Sequence, residues 1–230
     1  MRLALLMCVV ALATALPGPA GAQSEAPSMQ SLVVGLVSTG QVVAGGVPLS
    51  SGSWGSDYIT VSHALSVGAT YSILREGAPF AESNPVAACS SQAHGIDVLI
   101  VRVKEHAKRP VVEWGDPTEL KAGDELALHP RREFSASTVK IRFVHLNLLA
   151  WDRASAERWP RQWHNVMVGE GQTRSGFSGS PWAMGGKVYG LHKGSVRPVN
   201  QNNWYAVAET ATRVRECLGR LHYEALIPME

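Results

Sequence analysis

The chain has 230 residues, of which 45% are hydrophobic and 17% charged, with a formal net charge of +2 at pH 7. Such a composition suits one or two compact units with a real core, and so small a net charge argues against nucleic acid as a partner. The charge is unevenly spread: residues 129–200 hold eleven Lys or Arg against four Asp or Glu. Around a binding site that excess favours acidic substrates; elsewhere it is a solvated basic surface.

Residues 1–22 read as a signal peptide. Arg2 is a basic start, an apolar run follows, and Ala20-Gly21-Ala22 is a small-residue cleavage site. The apolar run is too short to span a bilayer. Cys8 precedes the cut and no lipid-attachment cysteine follows it, so the sequence predicts a secreted or periplasmic protein without a membrane anchor. Residues 23–31, rich in Ser, Ala and Pro, read as a flexible leader.

From residue 32 onward, short apolar runs alternate with Gly and Ser. Runs at 32–37, 41–47, 58–61, 71–74 and 97–103 predict strands of an all-β barrel or sandwich. Residues 105–116 carry charges and prolines and read as a link, dividing the chain into units at 32–112 and 113–230. A second set of strands is predicted at 125–129, 137–145, 165–168, 181–184, 187–192 and 204–207, with Gly185-Gly186 as a hairpin turn. Residues 208–222 place Val214, Cys217, Leu218 and Leu221 at helical spacing, predicting one amphipathic closing helix. Residues 146–163, with Trp151, Trp159 and Trp163 among arginines, read as a surface loop with partly buried indoles, or as a substrate-gripping loop over a cleft.

The chemistry centres on Gly176-Phe177-Ser178-Gly179-Ser180-Pro181. Glycines on both sides of Ser178 allow close backbone approach. The N–H groups of Gly176 and Ser178 can form an oxyanion hole. A serine hydroxyl needs a base and a group to orient that base. His63 follows the apolar run Tyr58-Ile59-Thr60-Val61, and Asp97 opens the apolar run Val98-Leu99-Ile100-Val101. Asp57 is an alternative orienting acid. The order His, Asp, Ser differs from that of the α/β-hydrolases, which place histidine last and glycine where this chain has Ser180. The remaining histidines have no ligand spacing with Cys or acids, so no metal centre is predicted, and no cofactor motif is present.

Four stretches, at residues 59–65, 95–103, 115–124 and 173–195, resemble trypsin-like serine proteases and are most similar to the glutamyl endopeptidases. The resemblance implies two antiparallel Greek-key β-barrels with a C-terminal helix and an endopeptidase active site between them. It implies a protein or peptide substrate, no cofactor and a monomer. Ser178 is then the nucleophile, His63 the general base and Asp97 its orienting carboxylate. Phe177 stands where many relatives have an aspartate that pairs with a new N-terminus, so that activation switch is not expected. Ser62, in place of a common alanine, is expected to be neutral.

The family's primary pocket uses a threonine five residues before the nucleophile and a histidine fourteen after it, matched here by Thr173 and His192. Gly190-Leu191-His192-Lys193-Gly194 fits the family's Gly-x-His-x-Gly and adds Lys193 and Gly194 as substrate-binding candidates. A hydroxyl and an imidazole both donate to a carboxylate or amide, and an imidazolium adds charge. The expected preference is Glu before the scissile bond, with Asp weaker. Alternatives are a narrow processing protease accepting Gln, or an inactive protease-like binding protein. Cys89 and Cys217 remain after signal removal. The resembled fold brings them together as a disulfide; otherwise they are two separate buried thiols.

Overall fold

The computed structural model describes residues 28–38, 41–64, 71–75, 78–90, 95–105, 108–132, 135, 137–159 and 161–227. The expected signal peptide, and most of the expected leader, lie outside the described residues.

Six strands form the first barrel: β1 (Val34–Ser38), β2 (Gln41–Gly52), β3 (Gly55–Thr60), β4 (Tyr71–Arg75), β5 (Ala78–Cys89) and β6 (Val98–Val103). They close in the order β1-β2-β3-β6-β5-β4, and every pairing is antiparallel. β6 shows no polar alternation because both of its faces are covered. Leu99, Val101 and Val103 join the barrel core, while Val98 packs in a cluster that also holds Val214 and Cys217. The pattern of short runs did not predict β5. It carries Pro85, which cannot donate to a ladder and reads as a break; in the fold it sits at a register shift against β6.

The second barrel uses β8 (Glu125–Leu128), β9 (Val139–His145), β10 (Met167–Glu170), β11 (Pro181–Met184), β12 (Lys187–Val196) and β13 (Tyr205–Thr210). The pairing of β11 with β12 closes it, and the short β7 (Glu113–Trp114) adds to β12 in parallel. Its core holds Leu126, Leu128, Ile141, Phe143, Met167 and Trp182.

Of three short helices, the first and the last pack on the cluster between the barrels. α1 (Met29–Leu32) falls in the stretch expected to be a leader; Met29 and Leu32 pack on the cluster between barrels, and the Gln30 side chain donates to the Pro130 carbonyl at 2.7 Å. α2 (Leu148–Trp151) begins the tryptophan segment, whose three indoles pack against Leu148, Val166 and Val207. Trp151, Trp159 and Trp163 are thus partly buried, which agrees with the surface-loop expectation for this segment. α3 (Ala211–Arg220) is capped by the Thr210 hydroxyl, which accepts from the Arg213 N–H at 3.3 Å. Its buried face, Val214 and Cys217, turns toward the first barrel. Cys217 is bonded to Cys89 at the end of β5, closing a separation of 128 residues. A loop of that length is worth a few kcal/mol, roughly 2–5, against the unfolded chain.

Candidate active site

The barrels meet at residues 176–181. The Gly45 N–H of β2 donates to the Ser178 carbonyl at 2.7 Å. Gly179 has a φ of +79°, and a side chain there would run into the Gly45 carbonyl and the Thr60 hydroxyl. Glycine is thus required after the serine both for its dihedral and for the closeness of the first barrel. Gly176 has a φ of +93°, again in the left-handed region. Phe177 between them donates its N–H to the Arg174 carbonyl at 3.3 Å and buries its ring in the second barrel. The N–H groups of Gly176 and Ser178 donate to no described residue. They remain available to an oxyanion.

His63 sits in a single 3₁₀ turn at the end of β3, and Asp97 just before β6. Because β3 and β6 are paired neighbours, their ends deliver both residues to one edge of the first barrel. His63 Nε2 lies 3.2 Å from Ser178 Oγ, and His63 Nδ1 lies 2.6 Å from Asp97 Oδ2. The other oxygen, Asp97 Oδ1, accepts from the His63 N–H at 2.8 Å and from the Ser62 hydroxyl at 2.7 Å. Ser62, expected to be neutral, therefore helps fix the carboxylate. Asp97 is fully buried, whereas the His63 side chain is 39% exposed. Burial alone would push the Asp97 carboxyl up. The His63 hydrogen bond and charge, Lys193 and Ser62 outweigh it and hold it well below the usual carboxylate range. An ionised Asp97 keeps the Nδ1 proton facing it and leaves Nε2 free to accept from Ser178.

Asp57, the alternative orienting acid, is elsewhere. It lies on β3 and takes both a bidentate Arg102 contact at 2.8 Å and the Tyr223 hydroxyl at 2.6 Å.

A cleft of about 900 Å³ opens beside Ser178. Thr173 and Gly194, both expected there, line it together with Arg174, Ser195, Asn203 and Trp204. The Thr173 and Ser195 hydroxyls are 2.5 Å apart. Trp163 backs one wall, where a side chain on Gly194 would strike its indole at 3.1 Å.

His192 and Lys193 depart from expectation. β12 has a register shift against β13 between His192 and Gly194. A bulge sets two residues opposite one and breaks the inside–outside alternation, so both side chains become buried. The His192 ring lies near Trp182 and Phe177, and its Nδ1 has no hydrogen-bond partner. Burial, with the nearby His63 charge, pushes it down to about 3. It is neutral at pH 7 and supplies no imidazolium. Lys193 points away from the cleft: its Nζ lies 3.2 Å from Glu209 Oε2 and 3.7 Å from Asp97 Oδ2. It is a neighbour of Asp97 and is not among the residues that line the cleft.

Sequence reasoning missed Ser195, Arg174, Glu209 and Arg213. Glu209 was the legible one, being an acid at the end of the apolar run of β13, but its place just before a helix disguises it as a terminal residue. Among the described residues no cluster of His, Cys, Asp or Glu could hold a metal ion, and no helix is long and apolar enough to cross a membrane.

No protein-family model and no curated protein matches the sequence. Solved structures do match. The Rv3671c protease in its inactive form aligns over 84% of this chain and 89% of its own, with 18% identity and a TM-score of 0.59. A serine-to-alanine mutant of Rv3671c from M. tuberculosis H37Rv, also in the inactive form, aligns over 88% and 91%, with 18% identity and a TM-score of 0.60. The chain has the chymotrypsin-like fold. At this identity the likeness speaks for the two barrels and their connection alone.

Proposed function

We propose that the protein is a serine endopeptidase that cleaves after acidic residues, Glu before Asp. The observation that carries this is the continuous line Asp97–His63–Ser178, at 2.6 and 3.2 Å, ending beside two available N–H groups. In the reaction His63 Nε2 takes the Ser178 proton as Oγ attacks the peptide carbonyl. The Gly176 and Ser178 N–H groups receive the developing oxyanion, and His63 returns the proton to the leaving amine. Water then enters and the same groups hydrolyse the acyl-enzyme. The relation of the solved neighbours to a protease supports the same reading. The Cys89–Cys217 bond suits the proposed export to an oxidising compartment.

The specificity rests on the lining of the cleft. Thr173 and Ser195 each have a rotatable hydroxyl that can donate to a side-chain oxygen. Arg174, also lining the cleft and without a carboxylate partner among the described residues, supplies the positive charge that neutral His192 does not. Gln is the runner-up, because the hydroxyls serve an amide as well as a carboxylate.

The test is kcat/KM for chromogenic peptides that differ only in Glu, Gln, Asp, Lys or Leu before the bond. Glu is expected to lead, and Arg174→Gln to lower the Glu-to-Gln ratio about tenfold, the cost of one ion pair. A wild-type preference for Lys or Leu would sink the acidic pocket and spare the triad.

A further inference from the structure

Behind the triad, four charged side chains from three elements and the Asp97 loop are packed into the seam between the barrels. Asp97, Glu209 and Lys193 are at most 3% exposed. Lys193 Nζ stands between the two carboxylates, 3.2 Å from Glu209 Oε2 and 3.7 Å from Asp97 Oδ2. Glu209 Oε2 also accepts the Asp97 N–H at 3.1 Å. The other oxygen, Oε1, accepts from Arg213 Nε at 2.5 Å, and Arg213 donates onward to the Gly95 carbonyl. One buried cation thus divides its charge between a carboxylate that faces His63 and one that does not.

We propose that Lys193 and Glu209 form a buried charge pair that sets how strongly Asp97 pulls on the His63 ring, which makes Lys193 a positioning residue. The proposal builds on the reading of His63 as the base for Ser178. Asp97 favours the imidazolium that forms when Ser178 gives up its proton. Lys193 opposes it by drawing on the same carboxylate oxygen that faces Nδ1. Glu209, held by Arg213, draws Lys193 back and limits that opposition. Among the described residues, the charged or titratable groups facing Asp97 are His63 from the 3₁₀ turn, Lys193 from β12, Glu209 from β13 and Arg213 from α3, with the buried His192 ring acting on His63 from β12. A buried lysine on a bulge serves such a purpose better than a hydroxyl, because its charge is little screened by solvent.

The pair has a signature that packing alone does not produce. Glu209→Gln keeps the shape of the side chain and leaves the full Lys193 charge on Asp97. Lys193→Met removes the cation and leaves Asp97 acting alone. The His63 ring signal is followed by NMR in full-length protein labelled in histidine, and assigned by its loss in His63→Ala. Its titration is expected to move to lower pH in Glu209→Gln and to higher pH in Lys193→Met, each by on the order of one pH unit or more, since a unit charge within about 12 Å at an effective dielectric constant near 20 is worth that much. The double variant is expected to return toward the wild type. Shifts in the same direction, or none in Glu209→Gln, would overturn the charge pair.

In parallel, the rate of fluorophosphonate labelling of Ser178 is measured against pH in the same variants. Its acid limb should follow the ring titration. Wild-type protein that stays unlabelled at every pH would contradict the nucleophile reading, while the NMR shifts would still decide the charge pair.

Discussion

The first barrel buries two aspartates completely, and they behave as opposites. Asp57 is clamped: Arg102 meets both of its oxygens at 2.8 Å, Tyr223 donates to it at 2.6 Å, and the Tyr223 hydroxyl is pushed up by burial and by that bond. It fastens β3 to β6 and to the segment after α3. Asp97 is held just as firmly from behind, by Ser62, the His63 N–H and Lys193. Oδ2, the oxygen that Lys193 approaches, also faces a ring that is 39% exposed and in reach of Ser178. A guanidinium keeps its proton throughout, whereas an imidazole exchanges one. On the proposed function, burial and pairing alone do not mark a catalytic carboxylate. What marks it is a partner able to gain and lose a proton at the mouth of a cleft.

Substitutions at the two sites should separate them cleanly. Asp97→Asn is expected to lower kcat about 10⁴-fold by releasing the His63 tautomer, with KM little changed and the fold kept. Asp57→Asn should do the reverse. It leaves Arg102 without its buried counter-charge and costs about 3–5 kcal/mol in urea unfolding, while kcat per folded molecule holds. Equal losses of kcat in the two variants would erase the distinction.

A smaller effect sharpens the role of His192. Its folded-state pKa is depressed to about 3, against 6.5 in the unfolded chain. The unfolded chain therefore binds a proton below pH 6.5 that the folded protein refuses. Stability is fully present above pH 6.5 and falls as pH drops through the window toward 3, by at most about 1.4 kcal/mol per pH unit. Unfolding free energies of wild type and His192→Phe at pH 7, 6, 5 and 4 should diverge in slope, the variant being the flatter. Parallel slopes would mean that His192 is protonated in the folded state.

Much of the arrangement was legible because it follows from strand ends. Runs closing on His63 and opening on Asp97 belong to paired strands, and glycines around Ser178 announce a close backbone approach. The disulfide between Cys89 and Cys217 followed from the resemblance, not from spacing. What was hidden depends on register. A single bulge at residues 192–194 turned His192 and Lys193 inward, and no pattern in Leu191-His192-Lys193-Gly194 signals it. β5 was hidden because Pro85 reads as a break, although a bulge accommodates it. Ser195 and Thr173 meet only through the fold, twenty-two positions apart.

Covalent labelling decides whether Ser178 is a nucleophile activated by His63. A fluorophosphonate probe is reacted with the protein at pH 8, and the adduct is located by peptide mapping. One adduct is expected, on the peptide bearing Ser178, disappearing in Ser178→Ala and falling at least about 10³-fold in rate in His63→Ala. Labelling at another residue, or labelling of Ser178 that is as fast without His63, would contradict it.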